Sequence, residues 1–310
     1  MSTQSINVWV DTDTSIGVQG ADVDDGLALI QTFHSPELHL RGVSSVFGNA
    51  PIESTQAQAS EVVERFGPVG MEVHLGAGSS AERGASCPAV DALASALEEA
   101  PLHIMAIGPV TNVASLLLLH PELASKIQSI VMVAARRPGQ SFLSHPDQPI
   151  PFPDLNFDCD PGAMQNLLDS SVPLVFAPWE VSSHVWLKAE DLDQLERAGG
   201  AGAYIAEHSR SWLANWTDGL LAPGFNPFDT LAIAALTHPQ WLEGFRCGVW
   251  IEEGPDDLAS EDEKRRGATK PHLLVDAEST QSKREALYYF RPDAQFKPML
   301  LERLAGPSLT

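Results

Sequence analysis

The chain has 310 residues, 44% of them hydrophobic, and 41 acidic against 19 basic side chains give it a formal charge of -22. This length is enough to bury a large core, and the composition indicates a globular chain, not a disordered one. A net charge of this sign repels phosphate backbones and anionic lipids, so we expect neither a nucleic-acid nor a membrane partner.

The cysteines and the N-terminal sequence bear on location. Cys87, Cys159 and Cys247 are scattered without a CxxC pair, and their odd number would leave one unpaired in any disulfide scheme. A reducing cytoplasm fits this pattern best. The N-terminus lacks a basic region followed by an apolar stretch, and no run approaches the roughly 20 apolar residues of a membrane helix. The sequence therefore predicts a cytoplasmic chain.

Strand-like and helix-like segments alternate along the sequence. In chain order the predicted elements are a strand at 6–10, a helix at 24–34, a strand at 38–48, helices at 52–66 and 89–99, a strand at 102–108, a helix at 111–120, a strand at 127–135, a helix at 161–169, strands at 172–181 and 272–276, and a helix at 296–304. The polar stretch 252–271 is predicted to be a solvated loop. This alternation predicts one large α/β domain over residues 1–310, with an open, mostly parallel sheet and helices on both faces.

Acidic residues crowd the loop after the first predicted strand. The loop contains Asp11, Asp13, Asp24 and Asp25, and Asp22 adds a fifth carboxylate. Carboxylates packed together repel one another, so a bound cation such as calcium or magnesium is the simplest explanation. The loop is not an EF-hand, because it lacks the glycine at the sixth position and the closing glutamate. The alternative is that Asp24 begins a helix and that the other carboxylates are solvated.

Other polar positions follow neighbouring predicted strands. Asn49 follows the second strand, and Ile107 with Gly108 follows the third. Ligands collect at the carboxyl ends of strands in open α/β sheets, so we expect these positions to converge on one crevice with the acidic loop.

A phosphatase of the haloacid dehalogenase type is a further possibility for the first part of the loop. In that interpretation Asp11 is the nucleophile and Asp13 the general acid of a DxDx motif. It also requires a lysine, and neither Lys126 nor Lys188 has a convincing context. It leaves the later pair of aspartates unexplained.

Five segments of the chain resemble the inosine-uridine nucleoside hydrolase family, in the family's order. They are DTD with DDGLAL, VSSVFGN, AIGPVTNVASLL, DLNFDCDPGAM and NPFDTLAIAAL, which together extend from residue 11 to residue 236. The connecting loop TSIGVQGADV is longer than in the commonest form of the signature. The resemblance implies a nucleoside hydrolase-like fold and a calcium-dependent enzyme that hydrolyses the N-glycosidic bond of ribonucleosides. It also implies a homodimer or homotetramer.

Carried over position by position, the resemblance assigns roles to individual residues. Asp13 would be the catalytic base that activates a calcium-bound water. The implied calcium ligands are Asp13, Asp25, the carbonyl of Ile107 and Asp229. The alternative for Asp229 is a helix cap.

The resemblance also implies contacts with the substrate. The substrate-binding residues would be Asp24, Asn49, Asp154 and Asn156, with Asp11 in support of the loop. Further candidate contacts with the base or at the rim are Phe228, Gln148, Trp212 and Trp216. Asp154 and Asn156 could instead form a turn before a helix, and each tryptophan could belong to the core.

The chain departs from the family pattern in places that matter for the leaving group. Phe228 stands where many members have a histidine or tryptophan before the late aspartate, and the family's His-Gly element is missing. Protonation of the base would then come from another histidine such as His208, from solvent, or be replaced by stacking. The segment VAARRPGQ brings Arg136 and Arg137 to the expected rim or to a solvated turn. These departures keep open a catalytically weak homologue that binds calcium and ribosides.

Overall fold

The computed structural model describes residues 5–144, 148, 150–278 and 284–306. Residues 1–4, on which the expectation of a missing targeting segment partly rests, lie outside this set. The strands in the described residues are β1 Ile6–Thr12, β2 Leu38–Ser45, β3 Val73–His74, β4 Leu102–Ala106, β5 Ile127–Met132, β6 Leu174–Phe176, β7 Leu242–Pro255, β8 Thr269–Asp276 and β9 Glu285–Pro292. They form one sheet in the order β3-β2-β1-β4-β5-β6-β9-β7-β8.

Most neighbouring strands of this sheet are parallel. The pairs from β3 to β9 run parallel, and only β7 pairs antiparallel with β9 and with β8. The chain leaves β1 toward β2 on one side and later returns to β4 on the other, so the strand order reverses beside β1. The carboxyl ends of β1, β2, β4 and β5 therefore open around a crevice at this point.

Helices cover both faces of the sheet, as expected. The α-helices in the described parts are α1 Asp24–Phe33, α2 Ile52–Phe66, α3 Pro88–Glu99, α4 Thr111–Leu119, α5 Leu155–Cys159, α6 Pro161–Asp169, α7 Trp179–Ser182, α8 Ala189–Ala198, α9 Gly200–Ala214, α10 Thr230–Thr237, α11 Glu261–Arg265 and α12 Phe296–Ala305. None of them is long and apolar enough to cross a membrane.

The two faces follow from the alternation of side chains along each strand. In β1, Val8 and Val10 belong to a core with α1, α2, α9, α10 and α12, whereas Trp9 belongs to a second core with α3, α4 and α6. Each face of the central strands is thus buried, which is typical of parallel sheets covered by crossover helices.

Local chemistry fixes α6, which follows two predicted site residues. Asp160 precedes the helix and accepts a hydrogen bond from the Ala163 N–H at 2.9 Å, and Pro161 occupies the first helical position. Both are favoured at a helix start. The Asp160 carboxylate also accepts from the Thr111 hydroxyl at 2.8 Å, which joins α6 to α4. The segment just before α6 is therefore held beside β4.

Two sequence predictions about the fold are wrong. The stretch 252–271 is not a solvated loop, because it contains the end of β7, helix α11 and the start of β8. The strand predicted at 172–181 is limited to β6, because Pro178 is followed by α7. Strand β9 was not predicted, so the strand at 272–276 is not the last.

Candidate active site

A cavity of about 330 Å³ lies at the carboxyl ends of the central strands. One half is lined by carboxylates and amides, among them Asp22, Asp24, Asn49, Asp154, Asn156 and Asp229. The other half is lined by aromatic rings, which are Phe142, Phe152, Trp179, Trp212, Trp216 and Phe228. The cavity thus places a polar region directly against an apolar, aromatic one.

Three carboxylates meet at the polar end of the cavity. Asp24 and Asp25 begin α1, Asp229 immediately precedes α10, and one oxygen from each lies within 4.8 Å of the others. All three side chains are buried. Burial and the neighbouring charges of Asp24 and Asp25 raise the pKa of Asp229 well above its ordinary value. Their negative charges are unfavourable together unless protons or a cation offset them.

Asp13 lies beside this group at the end of β1. Its Oδ2 accepts a hydrogen bond from the Asn49 N–H at 2.7 Å, whereas its buried Oδ1 has no hydrogen-bond partner among the described residues. Burial, followed by the charge of Asp25, raises the pKa of the Asp13 carboxyl well above its usual range. A buried carboxylate oxygen without a donor is suited to a cation or to a water molecule.

Hydrogen bonds fix the orientation of Asp25. Its Oδ1 accepts from the Asp13 N–H at 3.1 Å and from the Thr12 hydroxyl, and its Oδ2 accepts from Asn49 Nδ2 at 3.1 Å. Asn49 therefore contacts both Asp13 and Asp25, through its backbone and its side chain. The loop after β2 and the loop after β1 are joined by these bonds.

Asp11 holds the loop after β1 in place and does not line the cavity. Its Oδ1 accepts hydrogen bonds from the Ser44 hydroxyl and from Asn112 Nδ2, the latter at 2.8 Å. Burial raises the pKa of Asp11 to about 7. Asn112 also donates to the Ser45 carbonyl at 2.9 Å and accepts from the Ala77 N–H at 2.8 Å. Asn112 thus joins the loop after β1 to the end of β2 and to the segment around Ala77.

The residues present fit a hard cation. Buried carboxylate oxygens converge, one of them has no donor, and oxygen ligands of this kind are those that calcium prefers. The geometric cluster consists of Asp24, Asp25 and Asp229, whereas the sequence predicted Asp13 in place of Asp24. Ile107 lines the same cavity, and its carbonyl accepts a hydrogen bond from Asn156 Nδ2 at 2.8 Å. The identity of the metal and its ligand set stay predictions.

Asp154 and Asn156 lie on the cavity wall at the start of α5. Asp154 Oδ2 accepts a hydrogen bond from the Ala135 N–H at 2.9 Å, and burial raises the pKa of this carboxyl to about 7. Asn156 Nδ2 donates to the carbonyl of Ile107 and, at 3.1 Å, to that of Val133. Both side chains are held by the backbone that follows β4 and β5.

The aromatic half is built around Trp216, in a π-helical turn that follows α9. Its ring lies 5.1 Å from that of Phe152, 6.0 Å from Phe228 and 6.3 Å from Trp212. Phe142 stacks on Trp179 at 5.2 Å. The sequence pointed to the tryptophans and Phe228 but missed Phe142 and Phe152. These lie in a loop without periodic pattern, so no sequence signal distinguished them.

Other candidates from the sequence lie outside the cavity. His208 packs against the ring of Tyr204 at 4.3 Å, and no histidine in the described parts of the chain lines the cavity. The Gln148 side chain bonds within its own loop, to the Ser144 N–H at 2.9 Å and to the Ile150 carbonyl at 2.7 Å.

Arg136 is not part of a solvated turn, whereas the side chain of Arg137 is 41% exposed and precedes an exposed turn. Arg136 is 4% exposed and donates to Asp257 at 2.6 Å, whereas Arg137 pairs with Glu180 at 2.9 Å. Neither lines the cavity.

Comparison with known proteins identifies the relatives of this chain. Residues 8–289 match the family described as inosine-uridine preferring nucleoside hydrolase. The non-specific ribonucleoside hydrolase RihC of Salmonella agona is 25% identical over 81% of this chain and 84% of its own length. The pyrimidine-specific ribonucleoside hydrolase RihA of Photobacterium profundum is 26% identical over 74% of this chain and 81% of its own.

Solved structures confirm the predicted fold class. The plant nucleoside hydrolase PpNRh1 superimposes with a TM-score of 0.79 at 19% identity, over 98% of this chain and 100% of its own. A purine-preferring ribonucleoside hydrolase from Gardnerella vaginalis gives a TM-score of 0.74 at 19% identity, over 96% and 98%. The match of residues 8–289 confirms the family that the sequence motifs indicated.

Proposed function

The chain belongs to the inosine-uridine preferring nucleoside hydrolase family and is an N-glycosyl hydrolase, and from this premise we propose that it cleaves ribonucleosides to ribose and a free base with the help of calcium. The observation that carries the proposal is the cavity in which buried carboxylates face a set of aromatic rings. A ribonucleoside has the same two halves, a sugar rich in hydroxyls and a flat base.

This division sets the orientation of the substrate. Asp24, Asn49, Asp154 and Asn156 offer acceptors and donors for the ribose hydroxyls. The aromatic rings opposite provide flat surfaces on which a base can stack. The anomeric carbon then lies between the two halves, next to the acidic cluster.

Asp13, Asp25, Asp229 and the Ile107 carbonyl would hold calcium. When bound, calcium anchors the sugar diol and polarises the attacking water. The residues around it keep the carboxylates in place: Asn49 donates to both Asp13 and Asp25, and Asn156 donates to the Ile107 carbonyl.

Asp13 is the residue we assign as general base. Its Oδ1 is buried and has no donor, so it can accept the proton of a water that attacks the anomeric carbon. The bond from carbon to water oxygen forms while the bond to the base nitrogen breaks, and the electron pair of that bond leaves with the base. The carboxylates nearby stabilise the positive charge that develops on the sugar ring.

The leaving base faces rings and no histidine in the described parts of the cavity. Phe228 occupies the position before Asp229, and His208 lies outside. We therefore infer that stacking on the aromatic rings stabilises the departing base and that solvent supplies its proton.

The lack of a histidine in the described lining of the cavity also favours a second candidate function, a homologue that binds ribosides but hydrolyses them poorly. A riboside whose leaving group needs no proton, such as 4-nitrophenyl riboside, separates the two candidates. Turnover of nucleosides within about 100-fold of that of the nitrophenyl riboside supports the enzyme. Tight binding of nucleosides without released ribose supports the binding protein.

The remaining parts of the proposal concern the whole chain. One sheet connects residues 6 to 292, so we infer one domain over residues 1–310. The homodimer or homotetramer and the cytoplasmic location stay predictions, although the three cysteines are free, as a reducing compartment would leave them.

The test is an assay of ribose release over a panel of purine and pyrimidine ribonucleosides, with calcium and after chelation. We expect the release of ribose to require calcium. We also expect slower cleavage of 2′-deoxyribonucleosides, because they lack one of the two hydroxyls of the diol. Release that is unchanged after chelation would contradict the calcium part of the proposal.

A further inference from the structure

A network of charges, in which Arg136 is buried and its partners are partly buried, lies behind the cavity wall. Arg136 Nη1 donates to Asp257 Oδ2 at 2.6 Å, and Lys270 Nζ lies 3.3 Å from the other oxygen of Asp257. Lys270 also donates to Asp158 Oδ2 at 2.7 Å. Asp257 follows β7 and Lys270 lies in β8, so the antiparallel hairpin contributes half of the network.

Backbone bonds connect this network to the cavity. The Arg136 N–H donates to the Leu273 carbonyl at 3.1 Å, and the Val275 N–H donates to the Arg136 carbonyl at 3.0 Å, which fixes Arg136 to β8. The preceding residue, Ala135, donates its N–H to Asp154 Oδ2 at 2.9 Å. Ala135 has a φ of 78°, a conformation that a non-glycine residue keeps only when its surroundings hold it.

The other side of Asp154 is held in the same way. The Asp158 N–H donates to the Asp154 carbonyl at 2.7 Å, and the Asp158 side chain is bound by Lys270. The guanidinium of Arg136 lies 4.4 Å from the ring of Phe142, a cavity residue. Members of the network are thus covalent neighbours or direct contacts of the residues that form the wall.

The charges around Asp154 come from several elements. Arg136 and Lys270 are the cations, Asp158 adds a negative charge, and Tyr288 of β9 interacts with Asp154 as a neutral phenol. Burial raises the pKa of Asp154 to about 7, and the positive charge of Arg136 is the largest influence in the opposite direction. The positive charge of Arg136 therefore favours the ionised form of Asp154.

We propose that Arg136 and Lys270 are positioning residues, which hold Asp154 as a carboxylate against Ala135 so that it can accept a hydrogen bond from a substrate hydroxyl. The inference rests on the proposed function for the identity of the substrate, whereas the contacts described above do not depend on that function. As a carboxylate, Asp154 accepts from the Ala135 N–H with one oxygen and from the sugar with the other. The β7–β8 hairpin thereby controls a residue of the sugar half.

The first test needs neither metal nor substrate. The Asp154 carboxyl is titrated by carbon-13 NMR in protein labelled at aspartate, with the signal assigned through Asp154→Asn. In Arg136→Met, which removes the charge but keeps an unbranched side chain, the pKa of Asp154 should rise by about one unit. In Arg136→Lys it should stay near the wild-type value. An unchanged titration in Arg136→Met would overturn the proposal.

The second test is the pH profile of kcat/KM with a ribonucleoside. Raising the pKa of Asp154 from about 7 by one unit lowers the ionised fraction at pH 7 about fivefold, so Arg136→Met should lose about fivefold activity there and recover it at pH 9. Lys270→Met should shift the acidic limb in the same direction. Arg265→Gln, which removes an exposed arginine of the same hairpin, should change nothing.

The outcomes separate the two proposals. If the wild-type chain hydrolyses no ribonucleoside, the proposed function fails, while the titration still decides the role of Arg136. A loss of activity in Arg136→Met that is equal at every pH would indicate a merely structural role and overturn the inference. Thermal unfolding of each variant shows whether it is folded, and Lys270→Met provides the answer if Arg136→Met is not.

Discussion

The two oxygens of Asp13 have different surroundings. Oδ2 is fixed by the backbone of Asn49, whereas Oδ1 is buried without a donor. A buried acceptor without a donor is unfavourable by about 1–3 kcal/mol unless a cation or a water binds it. Oδ2 of Asp11, two residues earlier, also lacks a donor among the described residues, while its Oδ1 binds Ser44 and Asn112. Asp13 differs from Asp11 in its place beside the acidic cluster, because its charge acts on both Asp24 and Asp229.

Asp13→Asn should therefore abolish most turnover without unfolding the chain. The amide keeps the shape but cannot take a proton, and general bases contribute about 10²- to 10⁴-fold to the rate. Removing one charge from a crowded acidic cluster should leave the unfolding temperature of the metal-free protein equal or higher. Ribose release and thermal unfolding measure the two effects. The exposed Asp91→Asn is the control, and full activity in Asp13→Asn would refute its role.

Gly48 makes the position of Asp13 possible. A Cβ at Gly48 would lie 2.0 Å from Asp13 Oδ2, so Gly48→Ala must displace the carboxylate. A displacement of about 1 Å at a reacting group can lower a rate on the order of 100-fold, and we expect that loss in kcat. Gly219→Ala is the matched control, because a Cβ there meets no atom within 4 Å. Equal activity of both variants would contradict the argument.

At the scale of elements, helix N-termini and strand ends assemble the site. α1 begins with Asp24 and Asp25, and α10 begins directly after Asp229. The positive ends of these helix dipoles offset part of the carboxylate repulsion. The aromatic half comes from different elements, the end of α9 and the loop before α5.

Trp212 at the end of α9 tests the aromatic half. Removing one stacked ring weakens binding of a base by about 1–3 kcal/mol, so Trp212→Ala should raise KM for nucleosides roughly tenfold or more. The affinity for free ribose should stay the same, because ribose lies in the polar half. Titration calorimetry with ribose and steady-state kinetics measure both. Trp250→Ala, in β7 and outside the cavity lining, is the control. Weaker ribose binding in Trp212→Ala would oppose the assigned orientation.

Elements with a local signal were predictable from the sequence. The helix at 52–66 was predicted with its observed bounds because its apolar positions repeat with helical period, and α6 was marked by Asp160 and Pro161. Of the β7–β8 hairpin only the end of β8, at 272–276, was predicted, because half-exposed strand residues such as Glu252 and Glu253 look like a polar loop. Strand β7 also pairs with β9, which lies further along the chain, and the local sequence does not show this pairing.

The residues of the site also differ in whether the local sequence predicts them. The acidic residues were predictable because carboxylates cluster visibly in sequence and carry the family motifs. Phe142 and Phe152 were not, since their place at the cavity depends on contacts with Trp179 and Trp216. The ionic partner of Arg136, Asp257, lies 121 residues further along the chain, so the burial of Arg136 could not be foreseen.

At the scale of the whole molecule, buried carboxylates couple stability to pH. Burial raises the pKa of Asp11 to about 7 from an ordinary value of 3.8. A carboxyl with a raised pKa in the folded state stabilises the protein below its ordinary pKa, and this stabilisation is lost as the pH rises through the folded pKa. The neighbouring carboxylates that would bind calcium have raised pKa values for the same reason, burial.

The metal-free protein should thus lose stability between about pH 4 and pH 7, by up to about 1.4 kcal/mol per pH unit for each such group. Calcium at 100 times its Kd should add about 2.7 kcal/mol at pH 8, where the carboxylates are ionised, and less at pH 5. Urea unfolding at both pH values, with calcium and with a chelator, measures this. Equal stability of the metal-free protein at both values would contradict the coupling.

The distance along the chain between the carboxylates has a consequence for biosynthesis. Asp229 follows Asp25 by 204 residues, the difference between their numbers, yet their oxygens lie within 4.8 Å. At about 5–20 residues per second, a ribosome needs roughly 10–40 s to add the intervening chain. During this interval Asp24 and Asp25 lack their partner Asp229. The nascent chain gains its complete acidic cluster only after Asp229 has emerged, so a fragment released earlier would lack it.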